Sequence, residues 1–265
     1  MTRVLSGAVL IALATALVWL ASPIVFFLVG EALLLVAFGE YAALARASDA
    51  PIPEAPAALA AVLTAAAFSR LAFNVSWVSL DLVLMAALVG VGGLTIARWH
   101  GGPGAVALAS ASLLPCFYLG LPFGAMIVIR EVEGRQALFL LMATVAVSDT
   151  AQYYTGRLFG RRPLAPAISP KKTIEGAVGG LLFGFLFLTI VGRWWLPQAG
   201  VALRAALGAA IVGVGIAGDL FESMLKRSAG VKDSSALIPG HGGVLDRLDA
   251  LLFAAPVYYI VLKFV

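Results

Sequence analysis

The chain has 265 residues, of which 62% are hydrophobic and only 12% charged, and its mean hydropathy is +1.01. A soluble domain is about half apolar and about a quarter charged, so a water-soluble globular protein is excluded and a polytopic membrane protein is implied. The net charge of +4 does not require a nucleic-acid partner, because basic residues on the cytoplasmic face set membrane topology, and the single cysteine, Cys116, excludes a disulfide framework or a cysteine metal cluster.

Long apolar runs predict spanning helices rather than barrel strands, because a backbone in lipid must satisfy its own hydrogen bonds. The runs are 4–21, 24–45, 57–73, 78–98, 104–121, 137–156, 173–195, 201–226 and 244–265. Each is near the ~20 residues that cross ~30 Å of hydrocarbon, so the expected fold is an all-α polytopic bundle of about nine transmembrane helices. The first run is followed after only Ser22-Pro23 by the second, which favours a span over a cleaved signal peptide. Residues 121–130 are apolar but short and read as a re-entrant or interfacial piece. The tryptophans, Trp194-Trp195 among them, read as an aromatic belt. Residues 1–136 form a membrane scaffold on this reading, with lipid access and possible dimer contacts, and 137–265 carry most of the polar chemistry.

With the N-terminus in the cytoplasm, Arg3, Arg46, Arg98 and the basic loops at 157–172 and 226–247 fall on the cytoplasmic side. Arg70, Arg130, Arg135, Arg193, Arg204 and Lys263 fall on the far side. The bias has the sign expected of an inner-membrane protein. Two spans separate the loops 157–172 and 227–243, so the two lie on one face whatever the total count.

Polar residues within the runs are the candidate site. Glu31 and Glu40 lie inside the second run, where each could pair with a neighbouring helix or line a cavity; Asp81 starts the fourth and reads as an interfacial cap. Ser148-Asp149-Thr150 ends the sixth, and a buried acid there is a site candidate. Ser169, Lys171, Lys172 and Thr173 precede a helix and resemble an anion cradle; Thr173 also suits an N-cap, and Gly176, Gly179, Gly180 and Gly184 suit close helix packing.

Asp219 and Glu222 share a face of the eighth run, and Asp246 and Asp249 share a face at the start of the ninth. Carboxylates from two helices make a hard-oxygen site suited to Mg²⁺. Acids at 246 and 249 also favour a helix N-terminus, which leaves a helix-end role open, most of all for Asp249. Lys226, Arg227, Lys232 and Arg247, beside these acids and the turn Pro239-Gly240-His241-Gly242-Gly243, have the equipment for a polyphosphate. The glycines permit close backbone approach to an anion at a helix N-terminus. His241 is tempting as a general base, with a hydrogen-bonding or purely structural role preferred.

Ser223-x-x-Lys226-Arg227, then Lys232-Asp233, then Pro239-x-His241-Gly242-Gly243-x-x-Asp246-Arg247-x-Asp249 resembles the signature of the phosphatidate cytidylyltransferases, the CDP-diacylglycerol synthases. Asp219 and the stretch from Asp149 to Gly176 also resemble that family, so the likeness covers about the C-terminal half; Ser235 and Gln152 depart slightly from the pattern. The long apolar composition fits a bacterial inner membrane, and the charge bias puts the site on the cytoplasmic face. The resemblance implies an integral membrane enzyme, often dimeric. It would convert CTP and phosphatidic acid to CDP-diacylglycerol and pyrophosphate, with Mg²⁺ and a second cation such as K⁺. On that reading Asp219, Asp246 and Asp249 serve the metal, and Lys226, Arg227, Lys232 and Arg247 hold phosphates. Asp149 supports the metal or cytidine region, Ser169, Lys171, Lys172 and Thr173 receive the lipid phosphate, and His241, Gly242 and Gly243 line the substrate. A transporter is the main alternative, although its charges would more often sit at the bilayer midplane. A CDP-alcohol phosphotransferase is disfavoured, because its Asp-Gly-x-x-Ala-Arg motif is absent from the sequence. A relative acting on archaeal ether lipids shares the chemistry.

Overall fold

In a computed structural model the described residues are 2–69, 79–101, 103–238 and 240–264, with only the backbone described for 2–5. Arg70, Pro239, the side chain of Arg3 and the ends of the runs 57–73, 78–98 and 244–265 lie outside the described residues. Two compact units emerge. The first joins Met1–Glu131 to Leu225–Arg247, and the second joins Val132–Met224 to Leu248–Val265. Residues 225–247 therefore pack with the N-terminal helices, although the sequence groups them with the C-terminal region.

The first unit contains α1 (Thr2–Leu20), α2 (Pro23–Ala47), α3 (Glu54–Ala66), α4 (Leu80–Arg98), α5 (Ala105–Pro115) and α6 (Leu121–Val128). Pro23 at the first turn and the Ser22 hydroxyl, which accepts from Val25 N at 3.3 Å, start α2. A π-helical turn at Cys116–Gly120 links α5 to α6, and a second at Ile129–Glu133 extends α6, giving one helical run, Ala105–Glu133. The short piece expected at 121–130 is thus the second half of a continuous 29-residue run. Its Gly120 packs where a side chain would meet Ala61 O and Thr64 of α3. Arg130, expected on the far surface, is instead buried: its guanidinium donates to Val18 O at 3.1 Å and to Ala21 O and lies 4.6 Å from the Phe26 ring. It thereby satisfies carbonyls at the end of α1 that the helix leaves open.

The second unit contains α7 (Arg135–Phe159), a hairpin of β1 (Pro163–Ala165) and β2 (Ser169–Thr173), α8 (Ile174–Trp195), and most of α9 (Val201–Ser228) and α10 (Leu245–Leu262). The expected purely helical fold therefore carries one small antiparallel hairpin, with Pro163 opposite Thr173 and Ala165 opposite Ser169. The bulge in its longer strand takes up the unequal lengths. α7 and α8 pack along their length. Gly176, Gly179, Gly180 and Gly184 are buried at this seam, where a Cβ would collide with Gln152, Thr155, Ser148 or Val212. Gly180 makes room for the Gln152 side chain, so this departure from the family pattern is accommodated across the seam.

Five helical stretches among the described residues are long and apolar enough to cross a membrane: Pro23–Ala47, Leu80–Arg98, Ala105–Glu133, Ile174–Trp195 and Val201–Ser228. The apolar helices Ser6–Leu20 and Glu54–Ala66 are shorter, and α7 and α10 are not among the five. An all-helical membrane architecture fits, and nine spans are not reached on length and composition.

Candidate active site

In the first unit the site residues gather on the loop from the end of α9 to the start of α10. The last turn of α9 closes with Val231 N donating to Lys226 O at 3.0 Å and Gly230 N to Arg227 O at 3.1 Å, with Gly230 at φ +70°. This pair of bonds is a Schellman cap, for which glycine supplies the left-handed residue. Lys226 and Asp246 are both buried and form an ion pair of 2.5 Å. The second Asp246 oxygen, Oδ2, accepts from Ser234 N (2.9 Å), Ser234 Oγ (2.7 Å) and Gly243 N (2.8 Å). Asp246 thus organises the loop as well as carrying charge.

Ile238 N donates to Gly242 O at 2.8 Å and His241 N to Ile238 O at 2.9 Å, closing a turn in which Gly240 and Gly242 have φ +76° and +77°. His241 Nδ1 lies 3.0 Å from Ser6 Oγ of α1, so its ring is tied to the N-terminal helix. An open cavity of about 470 Å³ has Lys232, Asp233, Ser235, His241, Gly242 and Arg247 in its wall, so two cations face one acid there. Two cations and a glycine turn at such a hollow can receive an anion. Arg227 Nη1 donates to Val231 O at 3.0 Å on the exposed side of the loop.

In the second unit Lys172 of β2 forms an ion pair with Asp219 of α9, and Ser223 Oγ donates to Asp219 Oδ1 at 3.4 Å. Asp249 lies within electrostatic reach of Asp219, Asp149 and Lys172. The Gln152 amide donates to Asp149 Oδ1 at 3.1 Å and Ser148 Oγ at 3.2 Å. Thr173 caps α8 through Gly176 N, at 3.1 Å. Glu175 accepts from Arg161 N (3.0 Å) and Arg162 N (3.2 Å), which pins the hairpin to the start of α8. Ser169 is half-buried and Lys171 exposed on the same strand.

The acids supply the oxygen donors that Mg²⁺ takes. Among the described residues no three His, Cys, Asp or Glu side chains stand together as a metal cage. Mg²⁺ usually binds one or two carboxylates and completes its shell with water and substrate phosphates, so the donor chemistry fits that ion.

Glu40 and Ser234 belong to this site as much as the motif residues do. Glu40 is buried and accepts from Ser234 Oγ, Ser235 Oγ, Val244 N and Leu245 N. An acid inside an apolar run was the signal in the sequence, but its partners lie 194 to 205 residues away. Glu31, the other acid of α2, is buried with neither carboxylate oxygen hydrogen-bonded among the described residues.

A family model described as the cytidylyltransferase family matches residues 1–265, the full length of the chain. The chain belongs to the cytidylyltransferase family. Among similar proteins, the phosphatidate cytidylyltransferase of Aquifex aeolicus is 42% identical over 146 residues, 55% of this chain and 54% of that protein. That of Thermotoga maritima is 44% identical over 140 residues, 51% of each chain. That of Pseudomonas aeruginosa is 46% identical over 122 residues, 46% of this chain and 45% of that protein. The matched stretch thus spans about half the length of these curated relatives.

Proposed function

We propose that this chain is a membrane-embedded phosphatidate cytidylyltransferase, which transfers CMP from CTP to phosphatidic acid and releases pyrophosphate. The observation that carries the reading is the loop of the first unit, where a cavity walled by Lys232, His241 and Arg247 adjoins the buried Lys226–Asp246 pair in a chain of this family. An oxygen of the phosphatidate monoester attacks the α-phosphorus of CTP. The bond from the α-phosphorus to the bridging oxygen of the β-phosphate breaks, and that electron pair leaves with pyrophosphate. The attacking phosphate is ionised near neutral pH, so no side chain need remove a proton, and His241 is left to hold the turn against Ser6. Positioning and charge neutralisation then dominate catalysis.

In this proposal Lys232, Arg247, Lys226 and Arg227 receive the nucleotide phosphates and offset charge on the leaving pyrophosphate, with Gly242 and Gly243 allowing close backbone approach. Lys171 and Lys172, with Ser169 and Thr173, receive the lipid phosphate, and Asp149 supports the nucleotide or metal region. Mg²⁺ would be held by one or two of the carboxylates Asp219, Asp246 and Asp249, and would supply Lewis-acid charge neutralisation. A second cation such as K⁺, a homodimer, a bacterial inner-membrane location and a cytoplasm-facing site complete the proposal.

The test is turnover by purified protein with phosphatidic acid in mixed micelles, Mg²⁺ and each nucleoside triphosphate in turn. Pyrophosphate and a nucleotide-linked lipid are expected with CTP and not with ATP, GTP or UTP, and chelation by EDTA should abolish both. Folded protein that makes neither product with CTP would refute the assignment.

A further inference from the structure

Glu40 sits in α2, a mostly apolar helix that also holds Glu31 and Arg46 and lies far in sequence from every motif position. A buried carboxylate is costly unless its lone pairs are satisfied. Here Oε1 accepts from Ser235 Oγ at 2.7 Å and Val244 N at 3.0 Å, while Oε2 accepts from Ser234 Oγ at 3.0 Å and Leu245 N at 2.7 Å. Val244 N and Leu245 N open α10, where N–H groups lack partners within the helix and a negative charge is favoured. Next to them Asp246 Oδ2 takes Gly243 N and the Ser234 backbone and hydroxyl. The Ser234 hydroxyl therefore stands between Glu40 and Asp246. Gly243 fits the gap only because it lacks a side chain, since a Cβ there would collide with Ser234 Oγ and Glu40 Oε1.

We propose that Glu40 is a positioning residue for the cytidylyl transfer: from α2 it clamps the 234–245 segment and so fixes Asp246, Arg247 and Lys232 around the nucleotide cavity. The inference rests on the function proposed above. A carboxylate is needed because Val244 N and Leu245 N can only donate, one to each oxygen. The Ser235 and Ser234 hydroxyls complete the four partners, the single Ser234 proton being shared between Glu40 and Asp246. The amide of glutamine would turn an NH₂ toward two of them, and the backbone N–H groups of Val244 and Leu245 cannot reverse their roles.

The experiment compares wild type with Glu40→Gln for kcat, for KM toward CTP and toward phosphatidic acid, and for thermal unfolding. The KM for CTP is expected to rise about tenfold or more, as when a group that orients a binding residue is lost, with the KM for phosphatidic acid unchanged. A fall in kcat that follows the folded fraction, with both KM values unchanged, would make Glu40 merely structural and overturn the proposal. If Glu40→Gln does not fold, Ser235→Ala removes one donor to Glu40; a smaller rise in the CTP KM supports the clamp, and no rise overturns it. If wild type has no CTP-dependent turnover, the functional reading fails, and amide exchange then decides the clamp alone. Faster exchange at Val244 and Leu245 in Glu40→Gln supports it, and unchanged exchange overturns it.

Discussion

The hairpin that leads into α8 is held by its neighbours in the chain, whereas the loop that leads into α10 is held by residues from the other end of it. Thr173 caps a helix three residues on, and Glu175 reaches Arg161 N fourteen residues back. Glu40 reaches Leu245 N across 205 residues, and Ser6 meets His241 across 235. The ion pairs differ likewise. Lys226–Asp246 has side-chain exposures of 11% and 5%, while Lys172–Asp219 has 22% and 29%. A locally built anchor tolerates loss of one bond, because the chain keeps its parts together. A loop fixed from a distance depends on each buried polar contact.

The contrast can be broken or sharpened by substitution. Asp246→Asn should have the largest effect. It leaves Lys226 buried without its partner and turns an amide toward three donors, so CTP-dependent turnover should fall about 100-fold or more. Thermal or denaturant unfolding of the same variant should show a loss of about 3–5 kcal/mol. Asp219→Asn should cost comparable turnover but only about 1 kcal/mol or less, because its pair with Lys172 is more exposed. Equal destabilisation by the two variants would remove the contrast. Gly180→Ala should destabilise by about 1–3 kcal/mol by overpacking the α7–α8 seam against Gln152, and the double variant with Gln152→Ala should recover part of the loss. Thr173→Ala should cost about 1 kcal/mol as a lost cap, with Thr173→Ser close to wild type.

Much of the helical framework was legible because long apolar runs leave few alternatives in lipid. The boundaries of α2, α4, α8 and α9 lie close to the runs that predict them. The run 104–121 and the short apolar piece 121–130 read as separate, although they are one helix. The helix carries through with a π-turn at Cys116–Gly120, and Gly120 and Gly124 serve close contact with Ala61, Ala65 and Phe68. The cap at Thr173 and the glycine seam were readable since both depend on spacing within one segment. The hairpin was missed, because its strands have three and five residues and no alternating apolar pattern. Arg130 read as a topology charge because sequence cannot show that Val18 and Ala21 present carbonyls to it. Glu40 was visible as an anomaly, but naming Ser234, Ser235 and the start of α10 as its partners required the fold.

The most direct measurement of the central claim uses CTP labelled either at the α- or at the γ-phosphorus, with phosphatidic acid and Mg²⁺. Label from the α position should appear in the lipid product and label from the γ position in pyrophosphate, both lost in Asp246→Asn. Label from the γ position in the lipid, or no lipid labelling by folded wild-type protein, would contradict cytidylyl transfer at this site.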